Sequence, residues 1–121
     1  MAPVSNRDFF TVRRLEQVFE LIRRILTRPQ AVVANTTLTT TNNVVLVTTG
    51  AGNKTITLPH ALDNASRVYT VKKVDAGIGT VTVTAVGTDT IDGAATVVLL
   101  AQWNTVTIIS DGANWYKISA I

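Results

Sequence analysis

The sequence predicts a mainly β chain: an N-terminal amphipathic α-helix within residues 1–30, then a small antiparallel β-sandwich or jelly-roll-like module over residues 31–121. Three observations predict it. Apolar residues recur at helical spacing up to Pro29. Beyond Pro29 the period changes to two and the composition turns to Thr and Val, which favour strands. Clusters of turn-forming residues then punctuate the chain at intervals typical of small all-β domains.

In the first segment Val12, Leu15, Phe19, Ile22 and Leu26 follow the 3, 4, 3, 4 spacing of a heptad seam. Val18 and Ile25 flank that seam, so the apolar face is wider than a two-stranded coiled coil requires. Ser5, Asn6 or Asp8 can cap the N-terminus. Glu20 lies four residues before Arg24, a favourable helical pair. Pro29 ends the helix, because it biases Arg28 out of the α region. Such a helix packs either on its own domain or against copies of itself or another protein. About three heptads are marginal in isolation, so it needs a partner in either case.

Charge reinforces the division at Pro29. The net charge is +3. Residues 1–30 hold six Arg against Asp8, Glu16 and Glu20, whereas residues 31–121 are neutral, with five basic and five acidic side chains. A basic arm fits an acidic partner surface. In docking, Phe9, Phe10, Val12, Leu15, Phe19, Ile22 and Leu26 would supply apolar contact, and Arg13, Arg14, Arg23 and Arg24 charge complementarity.

In the second segment, strands are expected at 44–49, 55–58, 67–74, 80–86, 96–100, 105–110 and 115–119, with 37–43 an irregular loop or edge. Gly50-Ala51-Gly52-Asn53 and Asp75-Ala76-Gly77-Ile78-Gly79 read as hairpin turns, as do Asp92-Gly93 and Asp111-Gly112-Ala113-Asn114. Val81, Val83 and Ala85 alternate with Thr82 and Thr84, one dry face and one wet. Val44–Val47 and Val97–Leu100 are instead apolar on both faces. A small module has one core to fill, so Val44, Leu46, Val97 and Leu99 are expected at a subunit interface.

The inventory for catalysis is thin. His60, the only His, follows Pro59, and no G-x-S-x-G elbow supports a triad with Ser66 and Asp63. One His and no Cys argue against a zinc site. Asp89, Asp92 and Asp111 suit paired-carboxylate or calcium chemistry, but Asp92 and Asp111 each precede Gly and Asp89 follows Gly87-Thr88, where turns explain all three. Gly50-x-Gly52 and Gly77-x-Gly79 lack the third Gly of a dinucleotide fingerprint. No cofactor is therefore expected. Alternation puts Trp115 and Tyr116 on opposite faces, with Trp115 the core residue. Lys72 and Lys73 are the only adjacent charges in the module, which lacks the basic-aromatic stripe of a nucleic-acid binder. No apolar run reaches the ~18 residues of a membrane span, and arginines break up any signal-peptide core, so no membrane partner is expected. The Asn-x-Ser/Thr sequons at Asn35, Asn53 and Asn64 read as Thr-rich sequence rather than glycosylation sites.

The C-terminal two thirds carry a further pattern. Thr57-Leu58-Pro59, Tyr69-Thr70-Val71-Lys72-Lys73, Val81-Thr82-Val83, Asp89-Thr90-Ile91-Asp92-Gly93 and Ile109-Ser110-Asp111-Gly112-Ala113-Asn114-Trp115-Tyr116 follow one another in order. Across residues 44–119 this resembles a β-module recurring in tailed-bacteriophage fibre, head-fibre and appendage proteins. The resemblance implies a homotrimeric, noncatalytic component of the virion, assembled in the host cytoplasm, whose partners are other virion proteins of capsid, neck or tail. It fits a capsid- or neck-bound decoration or head-fibre protein. The alternative is a tail-fibre or host-attachment module whose outer loops bind cell-surface glycan. The decoration reading expects buried aromatics, the glycan reading aromatics exposed in a groove. Asp92, Gly93, Asp111, Gly112 and Trp115 are structural on either reading.

Overall fold

The computed structural model describes residues 14–21 and 29–121. Residues 14–21 are α-helical, here α1. Nine strands follow: β1 (Pro29–Val32), β2 (Thr36–Thr37), β3 (Val44–Val47), β4 (Lys54–Thr57), β5 (Val68–Lys73), β6 (Val81–Thr84), β7 (Thr96–Leu99), β8 (Thr105–Ser110) and β9 (Trp115–Ala120). A short 3-10 turn spans Ala61–Asn64. The strands form two mixed sheets, one of order β1-β3-β5-β8-β9 and one of order β2-β4-β6-β7.

The expectation of an antiparallel module is corrected for the first six strands. From β1 to β6 the chain alternates between the sheets. Strands meeting in one sheet therefore run the same way: β1 with β3, β3 with β5, β2 with β4 and β4 with β6 are all parallel. Antiparallel pairing begins with β5–β8, β6–β7 and β8–β9. The glycine clusters at 50–53 and 75–79 are thus not hairpin turns. Each is a corner that carries the chain from one sheet to the other, and the second corner stacks on the first. Gly79 N donates to Gly50 O at 3.2 Å.

Strands β1 and β2 lie where no strand was expected. Pro29 opens β1 at the sheet edge, where its missing N–H costs no ladder bond. Asparagine side chains extend the parallel ladders beyond the backbone. Asn35 Oδ1 accepts from Thr55 N and Asn53 Oδ1 from Thr80 N, both at 2.9 Å.

One apolar cluster serves both sheets. Val45, Val47, Tyr69, Val71, Val106, Ile108 and Trp115 come from the five-stranded sheet. Ile56, Val81, Val83 and Leu99 come from the other, and Leu38, Leu58, Ala61 and Ile91 from connections. Strict alternation produces this: β5 and β8 each bury every second residue. The Tyr69 and Trp115 rings meet at 5.6 Å, and Tyr69 Oη donates to Thr39 O at 2.8 Å. Trp115 also fixes the preceding loop: its N–H donates to Thr90 O and its carbonyl accepts from Asp92 N. Asp92 and Gly93, with φ 50° and 83°, reverse the chain between Ile91 and Ala94. Asp111 and Gly112 lie in the turn from β8 to β9, where Asp111 Oδ1 accepts from Ala113 N and Asn114 N and Gly112 has φ 94°.

The stacked corners leave no room for side chains. A Cβ on Gly77 would overlap the Gly50 carbonyl, and one on Gly79 would overlap the Gly52 carbonyl. Gly50 is different: its φ of +62° is left-handed, but the space around it is open. Gly50→Ala should therefore cost about 1 kcal/mol, a backbone conformational penalty. Gly79→Ala should cost about 3 kcal/mol, because a rigid carbonyl must move. Urea unfolding of the two variants checks this, and equal losses would contradict tight stacking.

Candidate interaction surfaces

Lys73 is the polar residue that organises the corners. Alternation from Tyr69 and Val71 places it on the inner face of β5, where it is fully buried. Its ammonium donates to Thr49 Oγ1 (3.1 Å), Asp75 O (2.8 Å), Asp75 Oδ1 (3.0 Å) and Gly77 O (2.9 Å). The Asp75 carboxylate in turn accepts from the N–H groups of Thr49 (3.0 Å), Gly50 (2.8 Å) and Gly77 (3.2 Å). The Thr49 and Gly50 N–H groups are the main reason that the Asp75 carboxyl lies far below the usual carboxylate range. A buried ammonium with four oxygen partners is a structural group rather than a base. The sequence reading took Lys72 and Lys73 together as neighbouring charges. The period of two through Tyr69 and Val71 was the signal that separates them.

The carboxylates are committed in the same way. Asp89 Oδ2 accepts from Ala61 N at 2.9 Å and lies 3.6 Å from His60 Nδ1. Asp92 Oδ1 accepts from Lys117 N at 3.0 Å. Backbone N–H groups of Asn114 and Ala113 hold the Asp111 carboxyl below its ordinary value. His60 is paired with Asp89 and not with the Asp63 and Ser66 of the triad considered from sequence. Among the described residues, no three His, Cys, Asp or Glu stand together as metal ligands.

Several large apolar side chains nevertheless face outward. All of α1 is exposed, with Leu15 at 55%, Val18 at 49% and Phe19 at 57%. Its apolar stripe is therefore not buried against the β-module. Arg14 belongs to the same helix. Phe9, Phe10, Val12, Arg13, Ile22, Arg23, Arg24 and Leu26 lie outside the described residues.

On β3, Val45 and Val47 point inward, and Val44 and Leu46 are half-buried on the other face. The expectation for β7 is corrected. Leu99 is buried in the chain's own core and Val97 packs against it. Val98 and Leu100 are the exposed pair. The run is apolar on both faces as read, but pairing with Val81 and Val83 of β6 sets the inward face to Leu99 and Val97.

The aromatics divide. Trp115 is fully buried, whereas Trp103 is exposed on the β7–β8 connection with φ 72°. Its ring lies 5.7 Å from Lys72 Nζ. A shallow cleft of about 350 Å³ opens elsewhere, lined by Asn43, Ala65, Ser66, Arg67 and Val68, with no aromatic side chain. Comparison with protein-family models, curated proteins and solved structures yields no match to this chain.

The Lys73–Asp75 pair should be visible in unfolding. Lys73→Met strips the Asp75 carboxylate of its ammonium and should cost about 3 kcal/mol or more. Asp75 and Asp111 have folded values below the ordinary 3.8. Their contribution to stability is thus complete above pH 4 and lost as pH falls from there toward their folded values. Urea midpoints between pH 2 and 6 should fall along that limb. Asp75→Asn should be less stable at neutral pH and should flatten the limb, and an unchanged acid slope would refute the assignment.

Proposed function

We propose that this chain is a noncatalytic structural protein of a tailed-phage particle, a trimeric capsid- or neck-bound decoration or head-fibre protein. The helical segment anchors it, and the β-module, a sandwich-like body of two mixed sheets, projects or caps. The observation that carries this reading is the solvent exposure of the Leu15, Val18 and Phe19 stripe on α1. An apolar stripe left uncovered by its own chain calls for an external partner. The β-module supports it from the other side, because Lys73, Asp75, Asp89, Asp92 and Asp111 are all engaged in holding its own loops. The resemblance of residues 44–119 to phage appendage modules supplies the virion setting and the number three.

The alternative, attachment to cell-surface glycan, has the exposed Trp103 ring in its favour. Three measurements test these readings. Deleting residues 1–28 should leave a folded β-module that no longer joins particles, and incorporation at the wild-type level would rule the anchor out. Light scattering of the full chain across a wide dilution range should give the mass of a trimer, and a stable monomer at micromolar concentration would defeat the shared assembly. On the glycan reading, Trp103→Ala would abolish cell binding while leaving particle incorporation intact.

A further inference from the structure

We infer that Trp103 and Lys72 form a binding platform for a uronic-acid saccharide, the indole stacking on the sugar ring and the ammonium pairing with its carboxylate. The inference rests on the glycan-attachment alternative above and gives it a place and a ligand class. Its starting point is backbone strain. Trp103 has φ 72°, in the left-handed region where a Cβ crowds the following carbonyl oxygen. Glycine or asparagine would occupy that position at less cost, so a tryptophan held there marks a side chain whose placement is used. The loop enforces the conformation. Trp103 N donates to Lys73 O (2.7 Å), and Trp103 O accepts from Thr105 Oγ1 (3.0 Å). Asn104 Oδ1 accepts from Leu100 N (3.2 Å) and Ala101 N (2.9 Å). The ring is therefore fixed before any ligand arrives.

Trp103 is nevertheless 57% exposed. Lys72 Nζ lies over one face of the indole, 5.7 Å from the ring centroid, which leaves the opposite face for a ligand. An indole face is electron-rich and attracts the C–H face of a pyranose. Lys72 is half-buried on the outer face of β5. Its ammonium has neutral oxygens for partners, Thr105 Oγ1 at 3.2 Å and Trp103 O at 3.4 Å. Among the described residues no carboxylate pairs with it, since Asp75 pairs with Lys73 and Asp92 with Lys117. An aromatic face and a cation without a counter-charge thus stand side by side. A uronic acid carries its carboxylate on the carbon next to the ring, so a single sugar residue spans both groups.

Other ligands fit the same groups less well. A nucleobase also stacks on tryptophan, but a nucleic-acid strand brings a phosphate with every base and needs a track of cations. No Lys or Arg occurs between Lys73 and Lys117. A protein partner uses an exposed tryptophan as a knob inside a ring of contacts that excludes water. Trp103 is flanked in the loop by Gln102, Asn104 and Thr105, whose amides and hydroxyl match the hydroxyl groups of a sugar.

The two tryptophans of the full-length chain, one exposed and one fully buried, give the test an internal reference. Titration with trigalacturonate or trimannuronate, followed by proton–nitrogen correlation spectra, should move the Trp103 indole signal and leave that of Trp115. The methyl ester of the same trisaccharide lacks the charge and should bind about fivefold more weakly. Lys72→Met should bring the acid down to the level of the ester. Trp103→Gly should abolish binding, yet unfold at a urea midpoint no lower than the parent's, because glycine relieves the left-handed backbone. Equal binding of acid and ester would overturn the acidic class. A Trp103 signal that neither acid moves would overturn the platform, and cell binding by the unsubstituted chain would then show whether the glycan reading stands with another site. Loss of particle incorporation in Trp103→Gly, with no response to saccharide in the parent, would make the ring a protein contact and overturn the inference as well.

Discussion

A lysine ammonium inside the β-module holds its two glycine corners together. Lys73 reaches from the inner face of β5 to the carbonyls of Asp75 and Gly77 and to the Thr49 hydroxyl of the previous coil. Asp75 then collects the N–H groups of Thr49 and Gly50. Four oxygen partners on one side and three N–H donors on the other compensate the desolvation of the pair. The consequence is geometric: with the corners locked, β3 and β5 align in register, β4 aligns with β6, and the inward residues of both sheets meet in one core. The stacked glycines permit that closeness, and the charged pair fixes it.

This economy also shapes what the surface can do. The module uses Asp75, Asp89, Asp92 and Asp111 to hold its own backbone, and much of what it presents to solvent is hydroxyl and hydrocarbon. Thr70 and Thr107 hydroxyls pair across β5 and β8, on the face where Val44 and Leu46 are half-buried. Surfaces of this kind form contacts by shape and apolar area rather than by charge steering. The excess charge is on the other side of Pro29, in the arginine-rich segment. The excess charge and the packed β-module thus lie in different parts of the chain, with different chemistry.

Much of the fold was legible in the sequence. The seven strands from β3 to β9 fall within a residue or two of where periodicity and turn residues put them, because half-buried strands print their alternation directly on the sequence. The direction of pairing was not legible from the same signals. Parallel and antiparallel neighbours share the period of two, and a glycine corner shares its residues with a hairpin turn. The distinguishing feature is a repeat: Gly50-x-Gly52-Asn53-Lys54-Thr55-Ile56-Thr57 recurs as Gly77-x-Gly79-Thr80-Val81-Thr82-Val83-Thr84. Strands β1 and β2 escaped because one begins with proline and the other has two residues. Among candidate site residues, the turn aspartates and Trp115 were readable from local chemistry. The inward face of β7 was not, since a continuous apolar run carries no alternation.

The parallel coils also set the order in which the chain can fold. Pro29 pairs with Val44, and Lys54 with Val81, so each early strand waits for a partner synthesised much later. Adjacent strands pair directly only at β6–β7 and β8–β9, near the C-terminus. Loop-closure entropy favours those hairpins as the first structure, with the earlier coils laid down on them. During synthesis the N-terminal half emerges first, and within it only the parallel pairs β1–β3 and β2–β4 can form. The Val44–Val47 run can meet β1 at once but waits for β5 on its other side. Thr37–Asn43 on one side and Thr48–Asn53 on the other bracket that run with polar and glycine residues of low aggregation tendency. The threonine-rich flanks thus have a second use, guarding that apolar run against aggregation while it waits for β5.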